Sequence, residues 1–543
     1  MRKTIRRSFY TAILGCLLFS GSFAQRKERL VDSWQPTHFD VAITFDRSLS
    51  QIASAVTTID VRSRKDNLAM VDLDFGSMPV SGVAIDGRPA RFERHDEKLD
   101  VFLAVPARRN QKLRISVNYS GVPKDGLILS KDKDGFPSAI GDNWADRVHH
   151  WIPCLDHPSA KASVTFTVTA ASEYEAVANG IQMSKRSNAD LTTTWVFSEA
   201  RPVSPYNMVV AVGRFATGRL STTSPIPITY YVPHSDEGYA KRGFAPAAPS
   251  ITTFSNLVAP YPYKKLALIV GATRFGGMEN ANTIVFAPNY FHNFDTAKKR
   301  SKRFDIPSGI EETDAHEIAH QWFGDSVTES TWSDLWLSEG FATYFAGLFL
   351  EQNEGRDSFK EYMREKAKSY LAYEKTRSSP IYDTKTEKLF DLLNPNNYEK
   401  GGWVLHMLRG MLGDKAFFGG IKAYYNRHKD SVATSDDLRM AMEKASGRDL
   451  KSFFDRWIYK AGHPIYQVRW RALRRGMIEL TLQQTQTDEP FLQPVMIEIK
   501  SKTGLRRVRI TPRDREASIM IRSSNPDSII IDPDESILKE VVN

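Results

Sequence analysis

Cysteine is almost absent from this chain of 543 residues, which contains only Cys16 and Cys154. Cys16 lies in an N-terminal stretch that we expect to be removed, so the mature chain is predicted to have one thiol and no internal disulfide. A small disulfide-stapled domain is thereby excluded, and stability must come from buried hydrophobic cores. A composition of 41% hydrophobic and 25% charged residues is typical of a globular protein of several domains.

The sequence also lacks a dense basic run with interleaved aromatic residues. Its formal net charge is +9, and removal of the four basic residues of the N-terminal stretch leaves +5, which is mild for this length. We therefore expect no binding to nucleic acid. After the first 24 residues there is no internal repeat, no low-complexity run and no apolar run long enough to span a membrane, so no integral membrane segment is expected after leader removal.

Residues 1–24 are predicted to be a secretory signal peptide. Basic residues precede a short apolar run, and Ser22 and Ala24 place small side chains at the cleavage positions. We therefore expect an exported protein, either periplasmic or secreted. Lipoprotein anchoring through Cys16 is the alternative, because the four residues that end there loosely resemble a lipoprotein box.

The mature chain divides into three predicted domains. Short alternating apolar and polar stretches, separated by Gly, Pro, Asp and Asn, recur over 25–220 and predict an antiparallel β domain. Helical apolar spacing dominates 221–462 and predicts a mainly helical domain. Short strand patterns return over 463–543 and predict a small β-sandwich. The predicted fold class is therefore α+β and multidomain.

The segment with the clearest chemistry lies in the predicted helical domain, where His316, Glu317 and His320 form the pattern H-E-x-x-H. Residues four apart lie on one face of a helix, so both imidazoles can bind one metal ion. Glu317 is offset from that face and can take a proton from water at the open coordination position. We expect the helix to begin with a capping box between Ser308 and Glu311.

A third metal ligand is needed, because catalytic zinc sites usually have three protein ligands plus water. Glu339, separated from His320 by eighteen residues, is the candidate. It lies in a predicted second helix that is almost wholly apolar and therefore expected to be buried. A carboxylate in so apolar a segment needs a partner, and a metal ion is a good one. The expected cofactor is one Zn²⁺ per chain.

Two further motifs leave alternatives open. In the stretch 275–280, two glycines allow a backbone to approach, and the Glu279 carboxylate could bind the free α-amine of a substrate. The alternative is a turn with an exposed glutamate. Tyr398 follows Asn394-Pro395-Asn396-Asn397 and so lies near a predicted helix start. Its phenol could stabilise an oxyanion, or it could be a packing residue.

Taken together, these motifs resemble the aminopeptidase N family of zinc metallopeptidases over most of the mature chain. G-x-M-E-N, H-E-x-x-H, W-L-x-E-G-F-A and Y-E-K-G occur in that family's order. The resemblance implies an N-terminal β-saddle domain, a thermolysin-like catalytic domain and a C-terminal β-sandwich. It implies a zinc-dependent aminopeptidase that acts on peptides with a free N-terminus, while oligomerisation stays open.

The resemblance also implies a role for each motif residue. His316, His320 and Glu339 would bind zinc, Glu317 would be the general base, and Tyr398 would stabilise the transition state. Glu279 would hold the substrate N-terminus. The full set of implied substrate-binding residues is Gly276, Gly277, Met278, Glu279 and Asn280.

The chain departs from the family pattern in three places. A glutamine that many members carry ahead of the family's P-C segment, here Pro153-Cys154, is missing from 141–144, and the asparagine of W-L-N-E-G is replaced by Ser338. The large helical C-terminal domain of long members has no counterpart, so we expect an open cleft or one covered by another subunit. The alternative functions are an epoxide hydrolase of the same family and a catalytically idle peptidase-like scaffold. The chain keeps the metal and base residues that such scaffolds typically lose.

Overall fold

The computed structural model describes residues 25–220, 224–502 and 504–542. The predicted signal peptide and the alternative anchoring residue Cys16 lie outside these residues. Within the described ranges, no helix combines the length and the apolar character that a membrane crossing requires.

The N-terminal region is built mainly on an eight-stranded sheet. Its strands form because apolar and polar residues alternate, as in Trp34–Phe45, where nearly every second side chain is buried. The order across the sheet is Ile181–Ser187, Thr192–Val203, Ala162–Ala171, Trp34–Phe45, Ile52–Ser63, Lys112–Gly121, Val80–Ile85 and Arg88–Pro89. The predicted β domain is confirmed with one difference. Trp34–Phe45 and Ala162–Ala171 pair in parallel, which the long stretch of chain between them permits.

Two smaller sheets complete the N-terminal region. The first has the order Leu68–Asp74, Lys98–Ala107 and Phe92–His95, and the second has the order Glu175–Ala178, Val210–Gly213, Pro137–Gly141 and Leu127–Lys131. A single β-bridge between Asp74 and Cys154 joins the first of these sheets to the P-C segment. Cys154 is a buried free thiol, and the removal of Cys16 with the leader stays a prediction.

A five-stranded sheet lies where mainly helices were expected. Its order is Ala216–Arg219, Ile228–Val232, Leu266–Val270, Thr283–Phe286 and Gly277–Met278. All five residues of Leu266–Val270 are buried, so this apolar run has no alternation that separates a strand from a helix. The strand before residue 220 pairs with the strand after it. The domain limits at 220 and 462 remain predictions.

The α-helices of the described residues all lie between residues 237 and 457. They are α1 Glu237–Gly243, α2 Ala247–Leu257, α3 Ser308–His320, α4 Trp336–Glu354, α5 Arg356–Glu374, α6 Gly401–Leu412, α7 Asp414–His428, α8 Ser435–Ser446 and α9 Lys451–Trp457. Short 3₁₀ turns are Val148–His150, Pro205–Asn207, His234–Asp236, Trp332–Asp334, Leu389–Leu392 and Arg474–Gly476. A two-stranded parallel ladder joins Val327–Glu329 to Ser431–Ala433.

The two helices that carry the predicted metal ligands differ in how well their sequences predicted them. In α4 every residue from 336 to 350 is buried, which confirms the predicted buried helix. The predicted capping box of α3 is wrong. Ser308 is the first helical residue, and its hydroxyl donates instead to the carbonyl of Lys299 at 3.0 Å. This bond to the preceding loop replaces the expected exchange with Glu311.

The C-terminal region consists of two sheets, as the strand pattern predicts. One has the order Glu516–Arg522, Met477–Gln484, Ile465–Ala472 and Glu540–Val541, and the other has the order Gly504–Ile510, Val495–Ser501 and Pro526–Ile531. Alternate residues of Met477–Gln484 and Val495–Ser501 are buried. Leu480 and Ile497 belong to the same hydrophobic core as the other domains, so this region packs onto the rest of the chain.

Candidate active site

The predicted site residues meet in a cleft of about 490 Å³. Nine of the ten line it, namely Gly276, Gly277, Met278, Glu279, His316, Glu317, His320, Glu339 and Tyr398. Asn280 is the exception, because it is fully buried and its side-chain amide lies 3.4 Å from the Met278 carbonyl. The structure therefore places Asn280 behind the cleft wall and not among the groups that can face a substrate.

Helices α3 and α4 bring three atoms of metal-ligand type together. Nε2 of His316 lies 3.1 Å from Nε2 of His320 and 3.3 Å from Oε2 of Glu339, and the last two atoms are 3.4 Å apart. A tetrahedral zinc ion with ligand bonds of about 2.0–2.1 Å separates its ligand atoms by about 3.3–3.4 Å. The spacing of the triad therefore fits zinc, and Glu339 lies where a third ligand would be needed.

The charges around the triad also favour a bound cation. Glu279, Glu317 and Glu339 are each no more than 6% exposed. Burial raises the pKa of Glu317 well above its usual range and that of Glu279 to about 7. Burial acts on Glu339 too, but His320 and His316 outweigh it and lower its pKa to about 2. Three buried carboxylates beside two imidazoles are stabilised by a positive charge among them, which a divalent metal would supply.

His320 is oriented by groups beside its Nδ1 atom, on the side of the ring away from the other two triad residues. Its Nδ1 lies 3.1 Å from the carbonyl of Phe323 and 3.0 Å from the hydroxyl of Ser338. A proton on Nδ1 that is donated to the carbonyl leaves the Nε2 electron pair free for a metal ion. Ser338, which departs from the family's asparagine, thus contacts a ligand directly, one residue before Glu339.

Glu317 lies against the strand Gly277–Met278 on the opposite wall of the cleft. A Cβ at Gly277 would lie 2.3 Å from Oε1 of Glu317, so the absence of a side chain there leaves the carboxylate its place. Carboxylate oxygens of Glu317 and Glu279 and a ring nitrogen of His320 lie within 4.8 Å of one another. Glu317 is therefore beside the triad without belonging to it, as a proton-transferring residue would be.

Gln321 is a positioning residue that the sequence reasoning missed. Its buried amide donates to the Glu279 carbonyl at 3.0 Å, and its oxygen accepts from the Asn282 N–H at 2.7 Å and the Tyr261 hydroxyl at 3.1 Å. These bonds fix the backbone of Glu279 relative to the end of α3. The available signal was an amide directly before the apolar pair Trp322-Phe323, since a polar group in a segment expected to be buried needs partners.

Tyr398 lies in a π-helical turn, Asn396–Lys400, directly before α6. Its ring stacks on His316 with 5.9 Å between ring centroids and 8° between planes. Burial, and next the charge of Glu339, raise the pKa of the phenol well above its usual value, so the hydroxyl stays protonated and can donate.

A backbone contact holds this turn against α4. A Cβ at Gly340 would lie 2.8 Å from Cα of Gly401, and a Cβ at Gly401 would lie 2.9 Å from Cα of Gly340. Helices α4 and α6 therefore meet with no side chain between them. Because Gly340 follows Glu339 and Gly401 follows the turn that carries Tyr398, the contact fixes the phenol beside the triad.

The segment 141–144, which lacks the family's glutamine, offers no polar side chain to the cleft. Asp142 and Asn143 are fully buried, and Trp144 lines the cleft instead. The sequence reasoning also did not single out Lys366 of α5, which lines the cleft and brings an ammonium group to its wall.

Comparison with known families agrees with this geometry. The chain matches the Peptidase M1 N-terminal domain over residues 35–207 and the Peptidase family M1 domain over residues 248–457. The second match contains the zinc-type triad, Glu279, Glu317 and Tyr398. The chain belongs to peptidase family M1. The resemblance to the aminopeptidase N family of this class is thereby confirmed.

Several named proteins resemble this M1 chain. It is 29% identical over 416 residues to Tricorn protease-interacting factor F2 of Thermoplasma acidophilum, covering 73% of this chain and 50% of that protein. It is 29% identical to Probable aminopeptidase 1 of Sulfurisphaera tokodaii, with 73% of this chain and 50% of that protein covered. It is 24% identical to Alanine/arginine aminopeptidase of Saccharomyces cerevisiae, with 94% of this chain and 61% of that protein covered. The chain thus spans about half the length of the first of these relatives.

Proposed function

We propose that this M1 chain is a zinc-dependent aminopeptidase that removes the N-terminal residue from peptides. One observation carries the proposal. One cleft contains a triad with zinc-like ligand spacing, a buried carboxylate outside the triad and a second carboxylate at the edge strand. Two of the relatives are named as aminopeptidases, which agrees with the proposal.

Glu317 and Tyr398 have separate roles in the proposed hydrolysis of the peptide bond. Bound zinc supplies Lewis-acid chemistry, because it polarises a carbonyl group and makes water more acidic. Glu317 takes a proton from the attacking water and passes it to the leaving amine. The protonated phenol of Tyr398 donates a hydrogen bond to the oxyanion that develops on the scissile carbonyl.

Glu279 accounts for the exopeptidase character. Its carboxylate is buried at the end of the edge strand and lies within 4.8 Å of the Glu317 carboxylate. One extended residue spans about 3.5 Å, so a substrate whose α-ammonium pairs with Glu279 has its first peptide bond beside Glu317. An internal peptide segment has no ammonium group to bring there.

A paired measurement of zinc and activity tests this function. The purified chain should contain zinc and hydrolyse aminoacyl chromogenic amides. Glu317→Gln should keep the zinc and lose on the order of 10²–10⁴ in kcat, because proton transfer is lost while the ligands stay. Glu312→Gln is a matched control, since Glu312 also lies on α3 and lines the cleft.

The outcomes separate the alternatives. A chain that binds zinc but hydrolyses no member of a broad aminoacyl amide panel would be an idle scaffold. Loss of zinc in Glu317→Gln would make that residue a ligand and not the base. Activity toward an epoxide without activity toward any amide would favour the epoxide hydrolase.

We also propose that the protein is exported to the periplasm or the medium. The support is the sequence of residues 1–24, with its basic start, apolar run and small residues at the cleavage positions. Cell fractionation and N-terminal sequencing test this, and the expected mature chain begins at Gln25. A lipid-modified Cys16 would support anchoring instead, and an intact leader in the cytoplasm would contradict export.

A further inference from the structure

A second group of metal-ligand side chains lies in the N-terminal region, outside the cleft. Glu97 lies in the turn after the strand Phe92–His95, and His149 and His150 end a 3₁₀ turn. One carboxylate oxygen and one ring nitrogen from each histidine lie within 4.8 Å of one another. None of the three residues lines the active-site cleft.

The ring nitrogens that face this gap lack partners. His149 and His150 are 9% and 8% exposed, and neither Nε2 of His149 nor Nδ1 of His150 makes a hydrogen bond to any described residue. The nearest carboxylate is Glu97, whose oxygens lie 3.5 Å from Nε2 of His149 and 3.9 Å from Nδ1 of His150. Buried polar atoms normally find partners, so two such nitrogens aimed at one carboxylate suit a bound cation.

The Nδ1 atom of His149, on the side of the ring away from Glu97, has the kind of hydrogen-bond partner that metal-binding histidines have. Its Nδ1 lies 2.7 Å from Oδ2 of Asp156, which also accepts the backbone N–H of His149 at 3.0 Å. A carboxylate at Nδ1 holds the proton there and leaves Nε2 to bind a metal. Nε2 of His149 is therefore the ring atom that faces Glu97, and a metal ion there would take the place of an Nε2 proton.

Backbone bonds hold the two ligand-bearing segments against the same stretch of chain. The N–H of Phe75 donates to the Glu97 carbonyl at 2.9 Å, and the N–H of Gly76 donates to the His149 carbonyl at 2.8 Å. A Cβ at residue 76 would lie 2.6 Å from Nδ1 of His150, so glycine leaves room for that ring. The side chain of Glu97 is 50% exposed and can adjust to complete the site.

We propose that Glu97, His149 and His150 form a second metal site for Zn²⁺. Two imidazoles and one carboxylate suit this ion, and the exposed side of Glu97 leaves a position for water. Binding requires Glu97 to give up an exposed pair with Lys124, 3.4 Å away, which contributes little. The site joins the hairpin after Phe92–His95 to the segment that follows Trp144 in the cleft wall.

Metal analysis of the full chain after equilibrium dialysis against buffered Zn²⁺ tests the proposal. The parent should hold two zinc ions, one in the cleft triad and one in this site. Glu97→Gln and His150→Gln should each hold one and keep their hydrolytic activity. His95→Gln is the matched control, because His95 lies on the same hairpin outside the cluster and its side chain is 57% exposed.

A second readout uses Co²⁺ added to protein whose cleft already contains zinc. The parent should show visible absorption of a protein-bound Co²⁺ that is missing in Glu97→Gln, an exposed substitution that leaves the fold intact. If the parent binds only the zinc of the cleft triad, the three residues are a protonated ion-pair cluster and the proposal fails. It also fails if both variants keep two zinc ions.

Discussion

A methyl group at Gly277 would displace the base without touching a zinc ligand. In Gly277→Ala the new Cβ would lie 2.3 Å from Oε1 and 2.4 Å from Cδ of Glu317, whereas ordinary contact begins at 3.4 Å. The carboxylate must therefore move by about 1 Å. Because it ends a flexible side chain, it can move while the strand stays in place, so the fold should persist.

The expected loss follows from that displacement. Misplacement of a catalytic group by about 1 Å costs roughly 100-fold in rate, which corresponds to about 2.7 kcal/mol of transition-state stabilisation. The zinc content should not change, because Glu317 lies outside the triad of His316, His320 and Glu339. Activity and metal content should therefore separate in this variant.

The assay is kcat on an aminoacyl chromogenic amide, measured with zinc content and thermal stability. Gly309→Ala is the matched control, since Gly309 also lines the cleft but a Cβ there would meet no atom within 4 Å. A kcat for Gly277→Ala equal to that of Gly309→Ala would refute the assignment of Glu317 as the base. Loss of zinc in Gly277→Ala would show that the edge strand supports the ligands instead.

Three further predictions concern the remaining site residues. Glu339→Ala should strip zinc from the triad, because three ligands become two, and metal analysis showing full retention would remove Glu339 from it. Tyr398→Phe should lower kcat by roughly 10²–10³ with little change in KM, since the phenol acts on the developing oxyanion, and an unchanged kcat would make it a packing residue. Glu279→Ala should selectively damage cleavage of free-amine peptides. Equal cleavage of a peptide and its N-acetyl form by the parent would contradict that role.

The zinc-type triad was predictable because it depends mostly on local geometry. An i, i+4 spacing places His316 and His320 on one face of any helix, whatever surrounds it. Glu339 needed only a buried apolar helix that folds back on the first, and the composition of α4 indicated one. The same locality explains why Tyr398 was expected near a helix start.

The errors and omissions arise where tertiary contacts decide. Ser308 had the residue pattern of a capping box, but a bond to the loop carbonyl of Lys299 replaced it. Leu266–Val270 is buried on both faces, so its sequence does not distinguish strand from helix. The partners of Gln321 lie 39 to 60 residues away along the chain, and no local pattern brings them together.

The contact between Gly340 and Gly401 limits how the cleft of this chain can change. The backbones of α4 and α6 touch directly at these two glycines. The distance between the predicted ligand Glu339 and the phenol of Tyr398 therefore cannot be adjusted by exchanging side chains at this contact. A side chain at either glycine would have to push the two backbones apart. Substitutions that alter specificity are therefore expected on the cleft walls, such as at Trp144 and Lys366, and not at the contact between α4 and α6.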